Sequence, residues 1–210
     1  MKNKSVKMIM EEYDEKYGNI PLDHNDILQY LLDKYPKIDL EFIEEEIKRI
    51  ESIPWEVEDH VIPIIPKPAA RPRYSFETKH FYVPGAASNK SVMKKILGIS
   101  DNLILARTRI HLETYQPTPV YKMNKNQVYL AELGYIRPVI DPDFDNFTKA
   151  YMDAIQGVLL ADDNIITDAQ IYKFFSVKPR VRIRIEYMTD FDSSYTEKIL
   201  TERAHKMTDL

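Results

Sequence analysis

The stretch DPDFDNFTKAYMDAIQGVLLADDN, residues 141–164, combines the clearest helical pattern in the chain with six aspartates. From about Asn146 to Val158 the apolar residues recur at helical spacing along one stripe: Phe147, Ala150, Tyr151, Ala154, Ile155 and Val158. A stripe of this kind predicts an amphipathic helix that packs on a core, and Gly157 lies near its end. We therefore predict a helix with aspartates on both flanks.

Aspartates occupy every second position just before this helix: Asp141, Asp143 and Asp145. In an extended backbone alternate side chains point the same way, about 7 Å apart at the backbone, so two of them can converge on one cation. Magnesium prefers oxygen ligands and usually retains several waters. Asp162 and Asp163 follow the helix, and a helix of about 12 residues can return them toward the same place. The spacing therefore predicts a metal site to which Asp143 and Asp145 contribute.

The same side chains also have ordinary structural interpretations. Asp and Asn before a helix are common N-caps, and Asp-Pro-Asp is a common turn. Lys149 lies four residues after Asp145 and four before Asp153, so it can form a surface ion pair worth about 0.2–0.5 kcal/mol. Alternatively, its ammonium can meet the charge that builds on a phosphoryl oxygen. The spacing leaves both interpretations of Lys149 open.

Charge is distributed unevenly along the chain. Residues 1–60 carry 8 Lys+Arg against 16 Asp+Glu, giving −8, whereas residues 61–210 carry 21 against 17, giving +4. Within the second part, residues 62–140 carry 12 basic and 4 acidic side chains, giving +8. A basic surface around a small acidic focus is typical of a protein that binds phosphates and concentrates metal at one point. A solvated mixed surface would give the same totals.

The segment KPAARPRYSFETKHFYVPG, residues 67–85, interleaves basic and aromatic side chains. Its cations can contact phosphates and its rings can stack on exposed bases. Alternatively, the rings pack onto a sheet and the charges remain solvated. The predicted DNA-contacting residues, here and farther along the chain, are Arg71, Arg73, Lys79, Lys94, Lys95, Lys122, Lys125 and Arg137.

Around the central helix the pattern predicts a mixed α/β (α+β) fold, with helices packed on a small sheet. Strands are predicted at residues 61–65, 110–115, 165–175 and 180–187, and helices at 89–104, at 126–133 and from about 193 onward. In the last strand three apolar residues alternate with three arginines: Val181, Ile183 and Ile185 with Arg180, Arg182 and Arg184. This alternation predicts one buried face and one basic face.

The first 53 residues predict three short helices, with Asp39 as the N-cap of the third. Ile53-Pro54-Trp55 is interpreted as a joint, because proline disfavours helix in the residue before it. We predict an acidic helical appendage at residues 1–55 and a separate domain at 56–210. The net charge of the appendage disfavours phosphate binding, so a contact with another protein or a second protomer is expected.

The run PDFDNFTKAYMDAIQGVLLADDNIITD, residues 142–168, resembles the signature of the RusA family of Holliday junction resolvases. That signature contains a proline-preceded Asp-x-Asp-Asn, a lysine one helical turn on, Asp-Ala, and a hydrophobic lead into paired aspartates. The matching positions are Asp143, Asp145, Asn146, Lys149, Asp153, Ala154, Asp162 and Asp163. The likeness extends over about residues 61–188, and residues 1–55 do not fit it.

The resemblance implies a RusA-like endodeoxyribonuclease that acts as a homodimer on four-way DNA junctions in recombination and repair. It implies Mg²⁺ or Mn²⁺ at Asp143, Asp145 and Asp163, with Asp162 as an additional candidate ligand and Lys149 as a catalytic residue. Asp141 lies outside the matched pattern and is a reserve ligand. Two alternatives stay open: a nuclease specific for flaps or forks, and a protein that binds branched DNA or a replication complex without cutting, around a structural ion.

Composition excludes several other classes of protein. The chain has no cysteine, so disulfides and thiolate zinc sites are excluded and a reducing compartment is expected. No apolar run approaches the roughly 18 residues of a membrane span, and no secretory signal is recognisable. We therefore expect a cytoplasmic protein. The glycines are scattered, so there is neither a phosphate-binding loop nor a dinucleotide fingerprint.

Overall fold

The acidic N-terminal segment folds into three helices in the computed structural model, which describes residues 6–69, 73–75, 80–82, 86–98 and 103–208. The helices are α1 (Val6–Tyr17), α2 (His24–Lys34) and α3 (Leu40–Ser52). Asp39 Oδ1 accepts a hydrogen bond from Phe42 N at 3.0 Å, as expected for the N-cap of α3. The predicted helices of this segment are confirmed. One compact unit ends at Ser52 and the next begins at Ile53.

The helices α2 and α3 bury none of their residues. Apolar side chains that their spacing would direct to a core remain exposed, among them Leu28, Ile43 and Ile47. Helices of this length gain most of their stability in proteins from packing an amphipathic face. The apolar residues of α2 and α3 therefore remain outside any buried core in this structure.

A four-stranded mixed sheet forms the centre of the second unit. Its strands are β1 (Trp55–Ile62), β4 (Thr108–Pro117), β5 (Ile166–Ser176) and β6 (Arg180–Met188). They lie in the order β1-β6-β4-β5. β5 is parallel to β4, and the other neighbouring strands are antiparallel. A separate two-stranded ribbon pairs β2 (Arg73–Ser75) with β3 (His80–Tyr82).

The main core lies between one face of the sheet and three of the helices of this unit. The unit contains α4 (Ala86–Leu97), α5 (Lys125–Glu132), α6 (Phe144–Ile155), α7 (Ser194–Thr208) and a 3₁₀ turn at Asp163–Ile165. Tyr151 and Ile155 of α6 share a core with Leu112 of β4 and Ile183 of β6. Burial raises the pKa of Tyr151 to about 12, and its hydroxyl accepts a hydrogen bond from Lys67 N at 3.0 Å. This packing holds α6 in place, and the predicted mixed α/β class is confirmed.

The first strand of the sheet differs from the prediction. β1 begins at Trp55, within the predicted joint, and ends at Ile62, whereas the sequence predicted a strand at residues 61–65. The strand is at the edge of the sheet and most of its side chains are exposed or half-buried, so its hydrophobic alternation is weak. Pro63 follows its last residue and has no N–H with which to continue the ladder.

Two helices also have boundaries that differ from the prediction. α4 ends at Leu97 rather than near Ile104, because Gly98 has a φ of +75°, a conformation that commonly ends helices. α6 begins at Phe144 rather than Asn146. No helix in the described ranges is long and apolar enough to cross a membrane.

The other face of the sheet, the charged face, carries arginines and carboxylates in equal number: Arg109, Arg180, Arg182, Arg184, Asp59, Glu113, Asp168 and Glu186. Arg182 donates to both carboxylate oxygens of Asp59, at 2.9 and 2.6 Å. Arg184 Nη2 lies 2.8 Å from Glu186 Oε1. The half-buried strand with its arginines on one side is confirmed for β6, but carboxylates on the same face of the sheet balance the charge of these arginines.

Candidate active site

Asp143 is the N-cap residue of α6 and has an extended backbone, with φ −61° and ψ 153°. Its side chain makes no capping hydrogen bond to the first turn. Asn146 Nδ2 donates to its Oδ2 at 3.5 Å. The sequence left open whether this aspartate was a cap or a ligand. Its backbone has the conformation of a cap, but its exposed carboxylate does not serve as one.

Asp145, Lys149 and Asp153 form a row along α6, the polar row, because residues four apart lie on the same side of a helix. All three side chains are exposed. The row extends over about 12 Å, at 1.5 Å per residue. Among the described residues, no ion pair joins Lys149 to either aspartate. The surface ion pair that the sequence left open is therefore absent.

Asp162 and Asp163 play different parts in the turn that follows α6. Asp162 Oδ1 accepts hydrogen bonds from Asn164 N at 3.2 Å and from Asn164 Nδ2 at 2.9 Å, so this carboxylate caps the 3₁₀ turn. A hydrogen bond with Asp162 raises the pKa of Asp163, as do partial desolvation and the negative charges of Asp162 and Asp153. Asp163 therefore lies in a crowded group of carboxylates, where repulsion favours the protonated form.

The three aspartates that the resemblance selects do not form one compact group. Within the described residues, no set of three or more His, Asp or Glu side chains is arranged to hold a metal ion. Asp143 and Asp145 lie at the beginning of α6, whereas Asp163 lies within electrostatic range of Asp153, near the end of that helix. The donors fit a hard divalent cation in chemical type, since all are carboxylate oxygens. All three side chains are exposed, and exposed side chains change rotamer readily.

Four of the lysines predicted to contact DNA are exposed. Lys94 and Lys95 lie in the last turn of α4. Lys122 precedes α5, with its ammonium 5.5 Å from the ring centre of Tyr121, and Lys125 begins that helix. Of the remaining predicted residues, Arg71 and Lys79 lie outside the described residues and Arg73 begins β2.

Arg137, also predicted to contact DNA, makes three contacts within the fold. Its Nε donates to Gly134 O at 2.5 Å and its Nη1 to Lys173 O at 3.3 Å. Its guanidinium lies 3.7 Å from the ring centre of Phe174. These contacts join the loop after α5 to β5, so Arg137 has a structural role that its charge alone did not predict.

Two residues near the predicted site were missed by the sequence analysis. Asp153 was named as an ion-pair partner of Lys149 and as a position of the family signature but was given no role in the site, yet its charge acts on Asp163. Lys173 of β5 donates from Nζ to Ile140 O at 3.1 Å and to Pro142 O at 2.8 Å. Contacts to backbone carbonyls leave no pattern in a sequence, so nothing in the chain could have indicated Lys173.

Known proteins match the part of the chain that contains these residues. A family model described as "Endodeoxyribonuclease RusA" matches residues 63–186. An uncharacterized protein of Bacillus subtilis (strain 168), YqaN, is 28% identical over 126 residues, which cover 57% of this chain and 89% of that relative. The family match spans every predicted metal ligand and Lys149, and it leaves α1–α3 outside.

Proposed function

The chain belongs to the RusA family of endodeoxyribonucleases, and on that basis we propose that it cuts branched DNA by metal-dependent hydrolysis, with the four-way junction as its substrate. The observation that carries the proposal is the polar row. It places exposed carboxylates on one side of α6, within the matched segment, together with an ammonium that has no ion-pair partner in the described part of the chain.

Asp143, Asp145 and Asp163 are the proposed ligands of Mg²⁺ or Mn²⁺. When bound, such an ion activates water and neutralises phosphoryl oxygens. Asp162 is the weaker candidate, because its carboxylate already caps the turn through Asn164. Negative charge at Asp163 is opposed by its neighbours, and a bound cation would remove that opposition.

Lys149 is the proposed catalytic cation. It lies midway along the polar row, about 6 Å along the helix axis from each aspartate. A phosphodiester lying along this row would bring its non-bridging oxygens to the ammonium. The charge that develops on those oxygens during hydrolysis would then be stabilised by a group already in place.

Phosphates distant from the cut are proposed to contact the lysines near α4 and α5, together with the basic segment before α4: Lys94, Lys95, Lys122, Lys125, Arg71, Arg73 and Lys79. Arg137 is the weakest member of the predicted set, since its guanidinium is held against Phe174. The charged face is not part of this surface, because its arginines are balanced by carboxylates.

A homodimer is proposed because resolution of a junction requires cuts in two strands related by symmetry, and a twofold assembly presents two equivalent sites. The acidic helices α1–α3 are proposed to contact another protein or a second protomer through exposed apolar residues such as Ile43 and Ile47. Truncation between Ser52 and Ile53 should leave junction affinity unchanged or higher. A large loss of affinity in a folded truncation would contradict this assignment.

The direct test incubates the purified protein with a synthetic four-way junction, a flap, a fork and a plain duplex, with and without Mg²⁺. We expect symmetric metal-dependent cuts in the junction. Preferential cutting of the flap or fork would change the substrate but not the chemistry. Absence of metal-dependent cutting on every branched substrate would overturn the proposal.

Asp145→Asn separates cutting from binding. Loss of a metal ligand should lower the cleavage rate by at least about a hundred-fold, since the ion contributes several kcal/mol to catalysis, while the variant still binds the junction. The matched control is Asp168→Asn, a carboxylate of the charged face paired with Arg107 and Arg109, which should cut normally. If Asp145→Asn instead unfolds the protein, the ion would be structural and the protein a non-cleaving binder.

A further inference from the structure

The loop that leads into Asp143 is attached to the sheet by one side chain. Residues 140–142 belong to neither a helix nor a strand. Lys173, in the middle of β5, donates from Nζ to Ile140 O at 3.1 Å and to Pro142 O at 2.8 Å. These two hydrogen bonds fix two carbonyl groups on either side of Asp141.

The contact to Pro142 bears directly on Asp143. Pro142 O and Asp143 N belong to the same peptide group, whose atoms lie close to one plane together with the Cα of Asp143. A donor that holds this oxygen therefore restricts the position and tilt of that Cα. The main chain of Asn146 is held separately, since its carbonyl accepts from Ala69 N at 2.9 Å.

Other features indicate that holding the carbonyls of Ile140 and Pro142 is the principal role of the Lys173 ammonium. Among the described residues, no carboxylate lies within ion-pair distance of it. Its own carbonyl accepts from Arg137 Nη1 at 3.3 Å. The side-chain ammonium and the backbone carbonyl of Lys173 thus both hold the segment between α5 and α6. A half-buried ammonium that donates to two carbonyls makes charge-assisted hydrogen bonds, which are stronger than neutral ones.

We propose that Lys173 is a positioning residue, which sets the place of the Asp143 carboxylate by anchoring the carbonyls of Ile140 and Pro142. The inference rests on the proposed function, in which Asp143 is a metal ligand. Lys173 does not itself contact the ion or the DNA. Its loss should therefore weaken metal binding and leave the affinity for DNA unchanged.

The experiment compares the full-length wild type with Lys173→Met, which keeps the length of the side chain but removes its donors, and with Lys173→Arg, which keeps charge and donors. Lys178→Met, an exposed lysine of the β5–β6 turn, is the matched control. Mn²⁺ binding is measured by electron paramagnetic resonance without DNA. The Mg²⁺ dependence of junction cleavage, kcat and KM is measured separately.

For Lys173→Met we expect about ten-fold weaker Mn²⁺ binding and a similar rise in the Mg²⁺ concentration for half-maximal cleavage, as for the loss of other groups that orient metal ligands. KM for the junction should stay within two-fold. Lys173→Arg should recover most of the metal affinity, and Lys178→Met should equal the wild type. If Lys173→Met does not fold, Lys173→Gln, which keeps a neutral amide donor group in place of the ammonium, should show an intermediate loss.

The inference is overturned if metal affinity is unchanged in the folded donor-deficient variant, or if KM for DNA rises instead, since Lys173 would then contact phosphate. These results differ from failure of the proposed function. A wild type that binds Mn²⁺ but cuts no branched DNA would contradict the nuclease, while the binding measurement would still test Lys173. A wild type that binds no Mn²⁺ would overturn both.

Discussion

Carboxylates on the charged face of the sheet and carboxylates near α6 are placed in opposite electrostatic surroundings. Asp59 accepts two hydrogen bonds from Arg182, and these hydrogen bonds are the main reason why the pKa of Asp59 is lowered. Asp163 lies beside Asp162 and within range of Asp153, and its pKa is raised. The same residue type is thus stabilised as an anion on one surface and destabilised as an anion on another.

This contrast separates the charges that stabilise the fold from those that are available for chemistry. On the charged face each cation has an anion or an aromatic ring against it, as Arg180 has Tyr115 at 3.6 Å. On the polar row Lys149 has no ion-pair partner among the described residues. Sites of function commonly retain such unfavourable arrangements at a cost in stability.

Lys149→Met should lower the rate of junction cleavage by about 10- to 100-fold, because a preorganised cation would be lost from the reacting phosphate. Junction binding and the free energy of unfolding should change little, since no ion pair is broken. The measurement is single-turnover cleavage beside a gel-shift titration, with Lys198→Met on α7 as the control. Unchanged cleavage would place Lys149 among ordinary surface lysines.

Arg182→Met should show the converse pattern. Arg182 makes a bidentate contact with Asp59 and also lies 3.6 Å from Glu113. Its removal should lower the free energy of unfolding by about 1 kcal/mol, the upper range for exposed pairs. Cleavage should remain within two-fold of the wild type. Urea denaturation measures the loss, and Arg182→Lys should recover only part of it, because lysine cannot make the paired hydrogen bonds.

The contribution of this pair to stability should depend on pH. Because Arg182 lowers the pKa of Asp59 below its ordinary value of 3.8, the stabilisation is present above that value and is lost as the pH falls through the lower folded-state pKa. The difference in unfolding free energy between wild type and Arg182→Met should therefore be constant near neutrality and shrink below about pH 4. A difference that persisted undiminished at pH 2 would mean that packing, not charge, accounts for it.

Asp163→Asn should have the smallest effect on stability, and its sign should be opposite to that of Arg182→Met. Removing one of several crowded carboxylates should raise the free energy of unfolding at pH 7 by a few tenths of a kcal/mol, the size of a like-charge contact at a surface. Added Mg²⁺ should stabilise the wild type, because a ligand that binds only the folded state does so, and should stabilise Asp163→Asn less. Equal stabilisation of both proteins would remove Asp163 from the metal site.

The fold could be predicted where periodicity was strong. α6 was expected within about three residues of its observed ends, because its apolar stripe is continuous and fully buried. β1 was displaced because an edge strand with few buried side chains has little alternation to detect. The β2–β3 ribbon was not predicted, since its two short strands lie in a proline-rich segment with no alternation of their own.

The candidate site could be predicted only in part. Asp143 and Asp145 follow from spacing, but the separation of Asp163 from them depends on how the turn after α6 is folded. Predicting the charge balance of the charged face would have required knowledge of which strands are neighbours, because Asp59 and Arg182 are 123 positions apart in the sequence. Lys173 acts through carbonyl oxygens, which every residue possesses, so only the tertiary structure could identify it.

The parallel pairing of β4 with β5 has a consequence for the order in which the protein folds. The connection between Pro117 and Ile166 contains α5, α6 and the proposed ligands as far as Asp163, and roughly 50 residues must be closed into a loop before the pair forms. Lys173, which anchors the loop before Asp143, arrives on β5, after all of these residues in the chain. During synthesis on the ribosome, the acidic residues therefore emerge before the strand that orders them. We expect nuclease activity to be acquired only late in folding, when β5 has docked and a nascent chain can no longer present a half-built site to DNA.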